Sequence, residues 1–172
     1  MHRRNILSLS VITACGLALL PGSAVSQQKS LKDQLVGTWT PVSWEQDVAG
    51  GGKLQRFGAN PKGVTVFEAN GRFIQMFMRP DLPKIASNNL SSPTPEEGKA
   101  IVGGAIAYYG TYSVDEAAKI VSYRIEASSF PNQLGIEQKR TITSITPTEM
   151  KYINTTVVGG AGQITITLKR AN

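Results

Sequence analysis

From residue 37 onward the chain alternates apolar and polar positions with a period of two, and β-branched residues crowd the stretches between turn signals. That is the pattern of half-buried strands. It predicts eight of them: Gly37–Gln46, Lys62–Glu68, Arg72–Arg79, Ala105–Val114, Lys119–Ser128, Ile136–Ile145, Glu149–Val158 and Gln163–Arg170. Asn70-Gly71 joins the second to the third, and both residues tolerate positive φ, the requirement of a tight hairpin. Other turns fall at Gly50-Gly51-Gly52, Asp115-Glu116, Phe130-Pro131-Asn132, Thr146-Pro147 and Gly159 to Gly162. Two segments depart from strand periodicity. Ser30 to Leu35 is a short amphipathic helical turn. In the long interruption from Pro80 to Gly104, between strands three and four, Thr94 is placed to cap a short helix with Pro95 at its first position and Glu97 closing a capping box. The fold class expected is therefore all-β: an eight-stranded antiparallel up-and-down barrel, because closure removes the exposed edges of an open sheet.

The faces of the last three strands follow from the alternation. Ile164, Ile166, Leu168 and Arg170 share one face of the eighth strand, opposite Gln163, Thr165, Thr167 and Lys169. In the sixth, Ile136, Gln138, Arg140 and Ile142 oppose Glu137, Lys139, Thr141 and Thr143, so Arg140 points inward with the isoleucines. In the seventh, Lys151 marks the outside and places Met150, Tyr152 and Asn154 within. Strands one to three are apolar on both faces and are not oriented by this pattern.

Ahead of the first helical turn stands a segment of another kind. His2-Arg3-Arg4, the apolar run from Ile6 to Leu20, and Pro21 to Ser26 have the order of a secretory signal peptide. Ala24 and Ser26 suit a cleavage site before Gln27, so residues 1–26 are expected to be a leader and 27–172 the exported, periplasmic or secreted domain. A competing reading makes Ile12-Thr13-Ala14-Cys15 a lipidation motif at Cys15. The apolar run is shorter than the roughly 20 residues of a membrane span, so stable membrane insertion is not expected.

Removal of this leader changes the chemistry available. The only histidine is His2 and the only cysteine Cys15, so residues 27–172 contain neither imidazole nor thiol. A Ser-His-Asp triad lacks its base, a cysteine nucleophile is absent, and zinc or copper lose their usual ligands. No cofactor and no metal are expected. Of the 18 Lys and Arg residues two lie in the leader, which leaves 16 against 12 acidic residues and a net charge of +4 dispersed along the chain. No run of Lys and Arg gives a nucleic-acid footprint. The 41% hydrophobic content and single-domain length suit one packed core.

Gly37-Thr38-Trp39 opens the first strand and Arg170 closes the eighth, an arrangement that resembles the lipocalins. The resemblance implies that Trp39 packs across the closed end of the barrel beneath Arg170, a cation over an indole face worth roughly 0.5 to 2 kcal/mol, with Gly37 and these two as structural residues. The longer series is more specific: Leu35-Val36-Gly37-Thr38-Trp39, Trp44-Glu45, Phe57 to Gly63, Asn70-Gly71-Arg72-Phe73, Pro95-Glu96-Glu97, Tyr109-Gly110-Thr111-Tyr112, Ser128 to Asn132 and Gln138-Lys139-Arg140. It resembles the small lipocalin-like domain family of bacterial and fungal proteins over nearly all of residues 33 to 170. The resemblance implies a calycin-type barrel and a small apolar ligand, with no catalytic residues to transfer. Leu168-Lys169-Arg170 departs from many relatives in lacking an aromatic residue before the arginine.

The candidate ligand-binding residues are Arg140, Tyr152 and Gln138, with Tyr109, Tyr112, Phe73 and Phe77 as an aromatic lining. A guanidinium offers bidentate donors to an anionic head group. The structural alternative pairs Arg140 with Glu126 or Glu45. Tyr108, Tyr109 and Tyr112 form either a binding platform or plain core, and Met76 and Met78 either adaptable lining or ordinary packing. The function expected first is an exported protein binding a small hydrophobic or amphipathic molecule. The alternatives are an isomerase, cyclase or hydrolase using a buried Glu or Tyr with Arg140, and a filled structural barrel.

Overall fold

The computed structural model describes residues 29–154 and 162–171, and in them the alternation becomes a single closed sheet. Its strands are β1 (Gly37–Asp47), β2 (Lys53–Leu54), β3 (Lys62–Phe67), β4 (Arg72–Met78), β5 (Ala105–Asp115), β6 (Ile120–Ser128), β7 (Glu137–Ile145), β8 (Glu149–Asn154) and β9 (Ile164–Arg170). Each pairs antiparallel with its neighbours, and β1 closes the ring on β9 from Trp39↔Arg170 to Gln46↔Ile164. β2 stands outside the ring of eight. It folds back on the end of β1 through the Gly50-Gly51-Gly52 turn, with Asp47↔Lys53 and Gln46↔Leu54 in register. This two-residue strand is absent from the sequence reading, being too short to carry a period. The predicted extension of the Glu149 strand from 155 to 158, and the leader at 1–26, lie outside the described residues.

The ends of the barrel differ. At one end the connections are short. Asn70-Gly71 turns β3 into β4 with Gly71 at φ 87°, and the Asn70 side chain accepts from the Arg72 N–H at 2.9 Å. Here α1 (Leu31–Leu35), capped by Ser30, plugs the floor with Leu31 and Leu35. The Glu116 carboxylate, in the β5–β6 hairpin, accepts from the N–H groups of Leu31 and Lys32 at 2.7 and 3.0 Å, which satisfies two orphan donors of that helix start. At the other end lie the longer β1–β3, β4–β5 and β6–β7 connections, including α2 (Pro95–Gly104). Its predicted capping box is present: Thr94 Oγ1 accepts from the Glu97 N–H and Glu97 accepts from the Thr94 N–H.

Inward positions carry the core, and aromatic rings dominate it. Phe73 lies 4.2 Å from Tyr123 between ring centroids, Phe67 meets Tyr112 and Tyr123 edge-on, and Phe57 sits between Trp44 and Phe77. Phe57 comes from the irregular stretch before β3 and closes the core between β1 and β4. β1 pairs with β3 only at Gly37↔Phe67, Thr38↔Val66 and Trp39↔Thr65, and beyond Trp39 the two strands part.

At the floor the lipocalin-like pairing is present. Arg170 lies over Trp39, whose indole N–H donates to Leu35 O at 2.8 Å. Gly37 adopts φ 128°, and a Cβ there would stand 2.7 Å from a terminal nitrogen of Arg170, so both the backbone conformation and the neighbour require glycine.

Candidate functional site

Alternation along β7 turns Gln138, Arg140 and Ile142 into the bore while Glu137 and Lys139 face water. Ile136, expected on that inner face, precedes the strand and is largely exposed, since the strand begins at Glu137. Arg140 is 2% exposed, among the largest fully buried side chains of the protein. One terminal nitrogen donates to Gln138 Oε1 at 2.6 Å and the other to Lys139 O at 3.2 Å, and the guanidinium carbon lies 4.9 Å from the Tyr123 ring centroid. Among the described residues no carboxylate pairs with it. Glu126, considered as its partner, forms a forked pair with Arg72 at 3.0 and 3.2 Å, and Glu45 pairs with Lys53 at 2.7 Å, both at the outer surface. The alternation already separates them: Ile125 is buried, so Glu126 faces out.

Three phenols surround this cation. Burial pushes Tyr152 far above the ordinary phenol range, and it raises Tyr123 and Tyr108 as well; the Arg140 charge beside them draws back only part of each shift. All three are therefore neutral hydroxyls at pH 7, able to donate as well as accept. Gln75, from β4, donates its Nε2 to the Tyr152 hydroxyl at 3.1 Å across the bore.

The cluster is polar beyond its own needs. Arg140 Nε, Gln138 Nε2, Gln75 Oε1, Thr65 Oγ1 and Asn154 Oδ1 are buried without a hydrogen-bond partner. Native interiors satisfy nearly all such groups with protein or ordered water, so five in one bore are hydrogen-bonding capacity that the protein's own side chains do not fill. Among the described residues the buried charged and polar side chains include no Asp or Glu, and no set of His, Cys, Asp and Glu converges on a metal position. The arrangement can bind an anion or stabilise an oxyanion. It holds no carboxylate or imidazole to act as a general base.

The expected site residues divide. Arg140, Tyr152 and Gln138 come together as read from the sequence. Phe73 lies inside against Tyr123 and Tyr108, and Phe77 near the long-loop end against Phe57. Tyr112 is inside but at the floor, its hydroxyl donating to Glu68 O at 2.8 Å. Tyr109 must be corrected: it is 44% exposed, in a shallow outer groove beside Val66, Arg72 and Ile74, because neighbours on a strand point to opposite faces and Tyr108 takes the inner one. Met76 and Met78 likewise alternate outward from Phe77. Thr65, Gln75 and Tyr123 escape the sequence reading. The signal for the first two was a polar side chain set in a strand otherwise apolar on both faces.

A closed ring of eight antiparallel strands, floored by a helical turn and carrying a polar group in its bore, is an up-and-down barrel of the lipocalin type. The chain belongs to the lipocalin-like domain family, whose sequence profile matches residues 36–165. Among solved structures, a redesigned β-barrel matches with 16% identity over 86% of this chain and 100% of its own, at a TM-score of 0.43. No curated protein matches the sequence significantly.

Proposed function

We propose that the protein is exported and holds a small amphipathic molecule in its barrel, with the anionic head group of that molecule against Arg140. The observation that carries this reading is a fully buried guanidinium with an unpartnered Nε and no carboxylate among the described residues to neutralise it. A buried cation without a counter-charge is costly, and a bound carboxylate supplies that charge together with bidentate acceptors. Family membership supports a ligand in the bore, the aromatic walls favour an apolar body, and the leader-like pattern of residues 1–26 supports export. The enzyme alternative calls for a buried Glu or Tyr acting with Arg140; among the described residues the buried set offers Tyr108, Tyr123 and Tyr152 and no Glu.

The test is titration of an environment-sensitive fluorescent fatty acid against the unmutated domain and Arg140→Gln, with urea unfolding of both. Binding should weaken about tenfold or more while the midpoint of the ligand-free protein holds or rises, because the substitution removes an uncompensated charge. Loss of stability with unchanged affinity, or absence of saturable binding to the unmutated domain, would leave the filled structural barrel in its place. N-terminal sequencing of exported material should begin at Gln27.

A further inference from the structure

Beyond its anionic head, the bore also shows what else its ligand must carry. In the ring order β1-β3-β4-β5-β6-β7-β8-β9, β3 lies diametrically opposite β7, and β4 opposite β8. The Gln75–Tyr152 hydrogen bond spans the second of these diameters, so at this level the two walls are within reach of one another. Each wall presents unpartnered polar atoms. On the β7 wall they are the donors Arg140 Nε and Gln138 Nε2, and Asn154 stands beside Arg140 in the β7–β8 register. On the facing wall are Thr65 Oγ1 and Gln75 Oε1, from residues paired directly across β3 and β4 and both 0% exposed.

A plain apolar acid satisfies the first wall only. Its carboxylate takes the β7 donors, and its first methylenes then lie against Thr65 and Gln75, offering neither a hydrogen-bond partner. We infer that the ligand carries a hydroxyl a few bonds from its carboxylate, and that Thr65 and Gln75 select for it. This rests on the binding reading above. A hydroxyl is the group that fits because it donates to Gln75 Oε1 while accepting from the Thr65 hydroxyl. Turning the Gln75 amide over exchanges its free oxygen for a free nitrogen, and a hydroxyl answers that arrangement too. The spacing follows from Tyr152, to which Gln75 donates and which lies two residues along β8 from Asn154, the register partner of Arg140. Two residues of strand separate the head-group donors from Gln75, roughly 7 Å, which suits a hydroxyl on the second or third carbon and excludes one at the far end of a chain.

The experiment is competitive displacement of the fluorescent fatty acid by dodecanoate, 3-hydroxydodecanoate and 12-hydroxydodecanoate, on the unmutated domain, Thr65→Val and Gln75→Met. The 3-hydroxy acid should displace the probe at about tenfold lower concentration than dodecanoate, and the 12-hydroxy acid should gain nothing. Thr65→Val should bring the ratio between the 3-hydroxy and plain acids close to one without lowering the urea midpoint, since it removes a buried unpaired hydroxyl. Gln75→Met should reduce the same ratio. Equal displacement by the 3-hydroxy and plain acids on the unmutated domain, with dependence on Arg140 retained, overturns this inference and leaves the carboxylate-binding reading standing. So does a 12-hydroxy acid that matches the 3-hydroxy acid. A probe that never binds overturns both.

Discussion

The Arg170 guanidinium lies 4.1 Å from the Trp39 ring centroid, and its three nitrogens each donate to a main-chain carbonyl: Nε to Pro147 at 2.7 Å, the terminal nitrogens to Val36 at 2.9 Å and Gln34 at 2.7 Å. One side chain thus ties the last strand to the β7–β8 hairpin, to α1 and to the first strand's indole. Arg170→Ala should cost about 1 to 3 kcal/mol through lost stacking and hydrogen bonds. Arg170→Lys should recover little of it, because an ammonium cannot serve three divergent acceptors and stack at once. Urea midpoints measure both, and Trp39 emission, read in a Trp44→Phe background, should shift with the first. An unmoved midpoint and spectrum would remove the pairing from the list of stabilising contacts.

Gly37→Ala strikes the same place from the other side. The substitution places a Cβ against the Arg170 guanidinium in a backbone conformation that L-residues avoid, so a loss of about 1 to 3 kcal/mol is expected. Removing Arg170 relieves the contact but leaves the φ angle, so the double variant should lose less than the two single changes together. A double-mutant cycle of chemical denaturation reads this coupling directly.

Tyr108 and Tyr109 are adjacent in sequence and opposite in consequence. Tyr108→Phe removes a neutral phenol beside Arg140 and should weaken binding of the fluorescent fatty acid several-fold. Tyr109→Ser alters only the outer surface and should change unfolding by about 0.5 kcal/mol or less and affinity not at all. Titration of both variants in parallel checks the orientation of β5, since a shift in affinity for the second would place that side chain in the bore.

Glu97 gives the α2 connection a dependence on acid. Its carboxylate accepts from the N–H groups of Ala86 at 2.9 Å and Thr94 at 2.8 Å, and these bonds hold its pKa below the usual 4.5. A carboxyl with a depressed folded-state pKa contributes stability that is complete above its unfolded value and is lost as pH falls through the folded one. Glu97→Ala should therefore lower Tm at pH 7, and the gap to the unmutated protein should close in the acid range below 4.5. Thermal unfolding across pH 3 to 7 decides it; a gap independent of pH would mean that the carboxylate charge contributes nothing.

What could be read from the sequence follows from which outer faces are polar. Lys139 on β7, Lys151 on β8 and Lys169 on β9 face water, so the alternation there sets the inward direction of Arg140, Tyr152 and Leu168. On β3 and β4 the outward residues are Val64, Val66, Ile74 and Met76, as apolar as the core they back onto. A period-two signal vanishes when both faces are greasy, and with it went the orientation of Thr65 and Gln75, two of the five unpartnered groups in the bore. The partner of Arg140 depends on what crosses the bore from strands far away in the chain, a relation no local pattern encodes. The cap of α2, the Asn70-Gly71 turn and the plugging helix were legible because each is written in consecutive residues.

The seam between β1 and β3 is the shortest joint of the ring among the described residues: three register pairs near the floor, where the other seven hold five to eight. Beyond those three pairs the core is closed by the Phe57 ring, packed between Trp44 of β1 and Phe77 of β4. A ladder parts one hydrogen bond at a time, whereas a ring that leaves its pocket departs whole. The cylinder therefore behaves less like a hoop than like a bracelet with a clasp. Amides facing that joint on β1, from Thr40 to Trp44, should be the first of the wall to exchange with solvent, and a chain cut there and rejoined elsewhere would lose the least.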